Sequence, residues 1–296
     1  MRPIGRRKTV VFHVGAHKTG TSLLQKYMRD NVAVLRRNRI HYVSRGAMNG
    51  YVGWGDKLLR DPEPLAATLR RVLRIPWFSV LIMSHENTLG RPLTPGGAHL
   101  YPRAPEVISA IGALLAPYRA KLVLSIRPQE QFLESYYLQS IHQGRHAAFE
   151  EWLSRIDLGA LSWTPVVEAL RATFGPTQVE VIDFRTIRQG QDAYIADFFR
   201  RIAPRYTFDT TYQAMRNPSI SDKGLRMALA ANPHLESGEE RRAMRKFLQK
   251  HFSNVRHPRP VLLTEGQKQE LHDRYAAEYD MLVGERTAVP EDARWA

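Results

Sequence analysis

Four short apolar segments, separated by longer segments with helical periodicity, dominate the pattern of hydrophobic and polar positions along the chain. They are TVVFHV (9–14), FSVLIMS (78–84), KLVLSI (121–126) and VEVIDF (179–184). Each is rich in Val, Ile and Leu without strict alternation, which is typical of strands that are buried on both faces. The pattern therefore predicts strands of a mostly parallel sheet.

Amphipathic patterns between and after these segments predict helices over 21–37, 105–118 and 128–144. Strands that alternate with helices indicate an α/β fold, a three-layer sandwich around a mostly parallel central sheet. Glycines and prolines are dense over 44–64 and 90–105, so we predict irregular loops there.

The last part of the chain shows helical patterns without a further strand. We therefore expect residues 1–208 to form the α/β core and residues 209–296 to add C-terminal helices that pack on the same domain.

Composition narrows the class of protein. The chain has 296 residues, 43% hydrophobic and 24% charged, and no cysteine, which excludes disulfides, thiolate metal sites and a cysteine nucleophile. We find no apolar run of about 18 residues and predict no transmembrane segment. The apolar run near the N-terminus is too short for a signal-peptide core, so we expect a cytoplasmic protein.

The net charge of +14 is strongly basic, with local density in GRRK (5–8) and in residues 241–259. Such a surface suits nucleic acid, an anionic membrane, a polyanionic small substrate, or only solvated helix faces. The sequence shows no zinc-finger spacing and no interleaved aromatic and basic pattern. We therefore predict no specific nucleic-acid partner.

The segment GAHKTGTS (15–22) follows the first predicted strand and opens a predicted helix. This is the setting of a phosphate-binding loop, in which glycines let the backbone approach an anion and N–H groups point at it. The segment nearly matches the ATP-type pattern GxxxxGK[ST]. However, Thr21 occupies the lysine position, and the lysine stands three residues earlier, at Lys18.

The acid that would hold magnesium beside an ATP loop is not evident at the neighbouring strand ends. One strand ends in His85 and Glu86, another in Arg127, and Asp183 lies within the fourth strand. Arg127 precedes a predicted helix on which Ser135 lies eight residues later. An arginine and a serine so placed could bind one anion from two sides.

These two segments resemble the nucleotide signatures of sulfotransferases that use 3′-phosphoadenosine 5′-phosphosulfate (PAPS), particularly bacterial and carbohydrate-modifying members. The resemblance rests on HVGAHKTGTSLLQKYM and LVLSIRPQEQFLESYYLQSIHQG and covers roughly residues 9–44 and 78–144. It implies an enzyme that transfers a sulfuryl group, releases adenosine 3′,5′-bisphosphate (PAP) and needs no metal. The implied 5′-phosphosulfate site is Lys18, Thr19, Gly20, Thr21 and Ser22, and the implied 3′-phosphate site is Arg127 and Ser135.

The acceptor hydroxyl must lose a proton, so a general base is expected near the loop. His85 and Glu86 are both candidates, and only one can point to the reacting centre from an extended strand end. A histidine follows the comparable strand in small-molecule sulfotransferases, whereas many carbohydrate and tyrosine sulfotransferases use a glutamate. The resemblance favours Glu86 and assigns Lys18 to the charge on the leaving oxygen. It suggests a glycan, glycolipid or other hydroxyl substrate as acceptor, and a peptide tyrosine, a lipid and a small phenol remain compatible with the sequence.

Two other classes of protein remain compatible with the sequence. One is a kinase-like phosphotransferase with an atypical loop, and the other is a basic protein that binds nucleic acid or a membrane surface. From the C-terminal part, Arg216 or Lys223 could reach the nucleotide phosphates. Trp54, Trp77 and Trp163 could stack on an acceptor, although we expect them to be core residues.

Overall fold

A sheet of five parallel strands lies at the centre of the computed structural model, which describes residues 8–94, 97, 99–204, 212 and 218–284. The strand order is β2-β3-β1-β4-β5, and each pairing is parallel. The strands are β1 (Thr9–His13), β2 (Ile40–Val43), β3 (Val80–Ser84), β4 (Arg119–Ile126) and β5 (Val179–Asp183). The predicted α/β fold is confirmed, and the described sheet is entirely parallel.

Helices cover both faces of this sheet. In chain order they are α1 (Thr21–Asp30), α2 (Val32–Arg37), α3 (Arg45–Val52), α4 (Asp56–Arg60), α5 (Glu63–Val72), α6 (Ala104–Leu115), α7 (Gln129–His142), α8 (Phe149–Leu153), α9 (Thr164–Phe174), α10 (Gln191–Ile202), α11 (Asp222–Ala231), α12 (Gly238–His251) and α13 (Glu265–Gly284).

Two hydrophobic cores form because successive side chains of a strand point to opposite faces. Val10 and Phe12 of β1 pack into the larger core, together with α5, α6, α7, α9 and the C-terminal helices. Val11, between them, packs into the smaller core with α1, α2 and α10. This gives the three layers that the alternation of strands and helices predicts.

The four predicted strands are present, and β2 is an additional short strand at the edge of the sheet. The helix predicted over 21–37 is divided at Asn31, which separates α1 from α2.

The prediction of an irregular region over 44–64 was wrong, because α3, α4 and the start of α5 occupy it. Ser44 caps α3 by accepting a hydrogen bond from the Ala47 N–H, and Met48 and Val52 are buried. Gly46 and Gly50 lie within α3, whereas Gly53 and Gly55, at the turn between α3 and α4, have positive φ. Local capping and burial thus form helices despite the glycine content.

The C-terminal helices pack on the α/β core, with α11 and α13 against α7 and α13 also against α9 and β5. A single antiparallel bridge joins Ile220 to Ser253 beside them. The expected boundary near 208 lies outside the described residues. Of the helices in the described part of the chain, none is both long and apolar enough to cross a bilayer.

Candidate functional site

The loop after β1 lies at the carboxyl edge of the central strand, where ligands bind in open α/β sheets. Three of its residues have positive φ: Gly15 at 40°, Lys18 at 63° and Gly20 at 79°. A Cβ atom at Gly20 would approach ring carbons of Phe184 and Tyr194 to 3.0 Å. The left-handed backbone and this close approach together require glycine immediately before α1.

A buried polar layer supports the loop from below. The Tyr194 hydroxyl lies 2.7 Å from the Thr19 carbonyl, to which it donates, and 2.8 Å from Ser125 Oγ. His13 Nδ1 lies 2.9 Å from Ser84 Oγ. Burial lowers the pKa of His13 to about 4, so this ring is neutral at physiological pH. These buried polar side chains therefore support the loop through hydrogen bonds, and the neutral His13 adds no positive charge next to it.

The side chains of the loop differ in what they face. Thr19 is buried and donates to the Ala16 carbonyl over 2.6 Å, so only its backbone is available to a ligand. Ser22 is exposed at the start of α1, whose first turn has no side-chain cap. Thr21 is 4% exposed, and its Oγ1 has no hydrogen-bond partner among the described residues. A buried hydroxyl without a partner and uncapped N–H groups are the features that an oxyanion would satisfy.

Arg127, at the end of β4, joins the second predicted segment to the loop. Its Nη1 donates to the Lys18 carbonyl over 3.2 Å, and its guanidinium lies 5.1 Å from the centre of the Phe184 ring. Burial lowers the pKa of Arg127 to about 10, so it remains a cation at neutral pH. Ser135 is half-buried on α7, next to Tyr136, whose ring meets His17 edge-on at 5.9 Å.

Lys18 stands exposed at the mouth of this crevice. Desolvation by the crowded walls, together with the positive charges of Arg127 and Arg245, lowers the pKa of Lys18 to about 8. Burial and the charges of Lys18 and Arg245 likewise lower the pKa of His142, on α7, to about 4. Lys18 therefore shares the crevice with the cations Arg127 and Arg245 and with His142, which is neutral near pH 7.

Arg245 lies on α12, and sequence reasoning missed it as a neighbour of the loop. The C-terminal candidates that it did name are placed elsewhere. Lys223 lies over the ring of Phe252, 5.4 Å from its centre, and Arg216 lies outside the described residues. The dense basic segment 241–259 was the one signal that could have drawn attention to Arg245.

Glu86, immediately after β3, is held by two neighbours. The Arg45 guanidinium of α3 pairs with Oε1 at 2.6 Å, and Gln25 of α1 donates to Oε2 over 3.3 Å. Burial would raise the pKa of Glu86, but Arg45 and the other donors outweigh burial and hold the pKa below its usual range. Glu86 is therefore a carboxylate near neutral pH, tied to the helix that begins at the loop.

His85 is 1% exposed, and both of its ring nitrogens are engaged. Nε2 lies 2.5 Å from Asn49 Oδ1, and Nδ1 accepts a hydrogen bond from the Asn87 N–H over 3.2 Å. Burial lowers the pKa of His85. Because its basic nitrogen is already occupied, this geometry favours Glu86 over His85 as a proton acceptor.

His17 forms the centre of an aromatic wall beside Lys18. Its Nδ1 lies 2.9 Å from the Tyr101 hydroxyl and its Nε2 3.0 Å from Asn87 Oδ1, so the ring donates to Asn87 and accepts from Tyr101. Trp54 stacks on it with ring centres 5.3 Å apart. Burial lowers the pKa of His17 to about 4. Trp54 thus belongs to the site and not to the distant core.

Trp163 and Trp77, the other two tryptophans considered as acceptor-stacking candidates, have structural contacts instead. Trp163 is fully buried and donates its indole N–H to the Arg127 carbonyl over 2.9 Å, which fixes the end of β4. Trp77 packs edge-on against His41 and Phe78 beside β2.

No protein-family model matches this chain, and a comparison with curated proteins gives no match. Among solved structures, the chain is similar to a sulfotransferase from Alicyclobacillus acidocaldarius. The sequence identity is 17%, the alignment covers 81% of this chain and 100% of that one, and the TM-score is 0.44.

Asp183, the only acid within the four predicted strands apart from Glu180, is engaged in structural contacts. It accepts hydrogen bonds from the Arg185 N–H and the Tyr279 hydroxyl, both over 2.7 Å. Within the described residues, no three metal-binding side chains converge.

Replacing Arg45 by Ala should raise the pKa of the Glu86 carboxyl, because the cation that favours its ionised form is removed. Titration of the glutamate side-chain carboxyl carbons by NMR measures this directly, and Glu86→Gln identifies the resonance. Arg60→Ala, which removes an exposed cation of α4, is the matched control and should leave the titration unchanged.

The other titratable groups around Glu86 are His13, His17 and His85, whose pKa values burial lowers, and Tyr42 and Tyr101, whose pKa values burial raises. These groups are neutral near pH 7, so Arg45 is the principal cation that acts on Glu86. An unchanged titration of Glu86 in the Arg45 variant would contradict the ion pair.

Proposed function

We propose that this protein is a PAPS-dependent sulfotransferase. The observation that carries the proposal is the hydrogen bond from Arg127 to the Lys18 carbonyl. It brings a cation at the end of β4 against the loop after β1, so that two anion-binding elements share one crevice. A nucleotide with phosphate groups at both the 3′ and 5′ positions matches such a pair of elements.

The residues around the crevice divide into two groups in this proposal. The backbone of 18–22, with the Thr21 hydroxyl and the N-terminus of α1, would hold the 5′ side of the nucleotide. Arg127 and Ser135 would hold the 3′-phosphate, where an arginine offers charge-assisted hydrogen bonds. When bound, PAPS supplies a sulfuryl group on a good leaving phosphate.

The chemistry assigned to the chain itself is proton transfer and charge stabilisation. Glu86 accepts the proton of the acceptor hydroxyl, since it is ionised and anchored beside the loop by Gln25. Lys18 places a positive charge where negative charge develops on the leaving oxygen. Gln25 and Arg45 are positioning residues, because they act through Glu86.

The acceptor enters, in this proposal, between Glu86 and the aromatic side chains of Trp54 and Tyr136, which pack on the buried His17. Flat aromatic surfaces beside a polar rim suit the apolar faces of sugar rings. A hydroxyl of a glycan or glycolipid is therefore the acceptor class that we propose.

The proposal is tested by ligand-induced thermal stabilisation of the full chain. PAP should raise the melting temperature more than ADP at equal concentration, with or without magnesium, because a ligand stabilises in proportion to the logarithm of its concentration over Kd. In Arg127→Gln, the advantage of PAP over adenosine 5′-phosphate should disappear, while the response to adenosine 5′-phosphate is kept.

The response to adenosine 5′-phosphate is the internal control, since that ligand lacks the phosphate assigned to Arg127. A stronger response to magnesium-ADP than to PAP would instead identify a kinase-like phosphotransferase. An unchanged preference for PAP in Arg127→Gln would remove Arg127 from the 3′-phosphate site.

A further inference from the structure

The segment 241–264 has a composition that the proposed reaction does not explain. It contains seven Lys and Arg residues and two His, with no Asp or Glu. It comprises most of α12 and the irregular chain between α12 and α13. The concentration of positive charge in this segment therefore needs an explanation other than the proposed reaction.

The basic side chains of α12 that face away from the protein lie along one stripe. Arg242, Lys246 and Lys250 follow each other at intervals of four residues, and all three are exposed. Leu248, on the opposite side of the helix, is 2% exposed and belongs to the larger core. The stripe therefore points into solvent while the other side of α12 anchors it to the fold.

Exposed apolar side chains accompany these cations. Phe247 is 46% exposed, Val255 71% and Val261 82%, and these are three of the five large hydrophobic side chains that are exposed in the described residues. The Phe247 ring contacts His251 and Phe252 at 5.1 and 5.7 Å between ring centres. The apolar exposure is thus concentrated where the positive charge is concentrated.

We propose that this surface, formed by the exposed side chains of residues 242–261, docks on an anionic lipid bilayer. Lys246, Lys250 and their basic neighbours would face the lipid headgroups, while Phe247, Val255 and Val261 would enter the boundary between headgroups and acyl chains. Charge complementarity identifies the anionic surface as the partner.

The apolar component distinguishes a bilayer from nucleic acid. Phosphate backbones are bound by cations and donors and give exposed aliphatic side chains nothing to bury against. At a bilayer, by contrast, burial of apolar area adds to the electrostatic attraction. Of these two partners, only a bilayer would bury the exposed Val255 and Val261.

The same helix carries Arg245 on the side of Lys18. Docking through the outer stripe would therefore place the helix that borders the crevice on the lipid surface. Under the proposed function, this places lipid-borne hydroxyls within reach as acceptors. The docking itself does not depend on the proposed reaction.

The test is sedimentation of the full chain with vesicles of phosphatidylcholine alone and of equal parts phosphatidylcholine and phosphatidylglycerol. The chain should bind only the anionic vesicles. Lys246→Gln with Lys250→Gln should weaken binding about 25-fold, at about fivefold for each cation near the surface. Phe247→Ser with Val261→Ser should release the protein at high salt, where the wild type keeps part of its binding.

The matched control is Arg71→Gln with Arg74→Gln, which removes two exposed cations beside α5 and should bind like the wild type. Equal weakening in this control would show that net charge alone acts and would overturn the proposal. So would binding to neutral vesicles alone, or unaltered high-salt binding of the Phe247 and Val261 variant. Stronger binding to duplex DNA than to anionic vesicles would assign the surface to nucleic acid. Because none of these readouts uses PAPS, they are independent of the proposed enzymatic activity.

Discussion

Replacing Glu86 by Gln should lower kcat by about two to four orders of magnitude and leave the affinity for PAP unchanged. Gln keeps the size of the side chain and an oxygen that can accept from Arg45, but it cannot take up a proton. The carboxylate is ionised because Arg45 lies 2.6 Å from Oε1. The lost rate is therefore the contribution of proton transfer, measured with radiolabelled PAPS and an acceptor that the wild type sulfates.

His85→Asn is the comparison that makes this result informative. His85 is buried and both of its ring nitrogens are engaged in hydrogen bonds. Its replacement should therefore lower the melting temperature and leave kcat nearly unchanged. A larger loss of kcat in the His85 variant, with intact PAP binding, would transfer the role of base to His85. Near-normal turnover in Glu86→Gln would place the base outside this segment.

Lys18→Met should lower kcat by roughly two to three orders of magnitude, as expected when one preorganised group that stabilises transition-state charge is lost. The melting temperature should not change, because the Lys18 side chain is exposed and only its backbone carbonyl takes part in a hydrogen bond, from Arg127. Met has a similar length and no charge. The measurements are kcat, PAP affinity and thermal unfolding of the same preparation.

The pH dependence of kcat/KM for PAPS, which reports the groups of the free protein, provides a second readout of Lys18. The pKa of Lys18 is lowered to about 8, and only the protonated amine stabilises negative charge, so kcat/KM should fall as the pH rises through about 8. In Lys18→Arg this basic limb should move to higher pH, because a guanidinium stays protonated. Lys26→Met, on α1 and paired with Asp30, should leave both kcat/KM and its pH profile unaltered. A basic limb that is identical in wild type and Lys18→Arg would assign it to another group.

The strands that lie on both sides of β1 could be predicted because buried parallel strands are continuous apolar runs. The edge strand β2 could not, since IHYV is four residues long and its central His41 and Tyr42 are only half-buried. Its position depends on pairing with β3, and a segment of four residues is too short to show a hydrophobic pattern from which that pairing could be predicted.

The candidate phosphate loop and Arg127 could be identified from the sequence because the residues of each motif are close together along the chain. Gln25, Arg45 and Asn49 were not, although they hold Glu86 and His85. Each of these three is an ordinary polar residue on a helix, and only the tertiary fold brings it to the site.

The region 44–64 shows how composition misleads when capping and burial decide. Its glycines predict a loop, yet Ser44 caps α3, and the buried Leu58 anchors α4 to the larger core. The consequence for function is direct, because α3 carries both Arg45 and Asn49. A loop in that place would have left the candidate base without its neighbours.

The central position of β1 also determines how the chain is assembled during synthesis. The partners of β1 in the sheet begin at Val80 and Arg119, so β1 has no neighbouring strand until β3 and then β4 have been synthesised. At about 5–20 residues per second, β4 is completed on the order of ten seconds after β1. The surroundings of the loop after β1 are therefore completed late, and a nascent chain that ends before β4 leaves one edge of the apolar strand β1 unpaired.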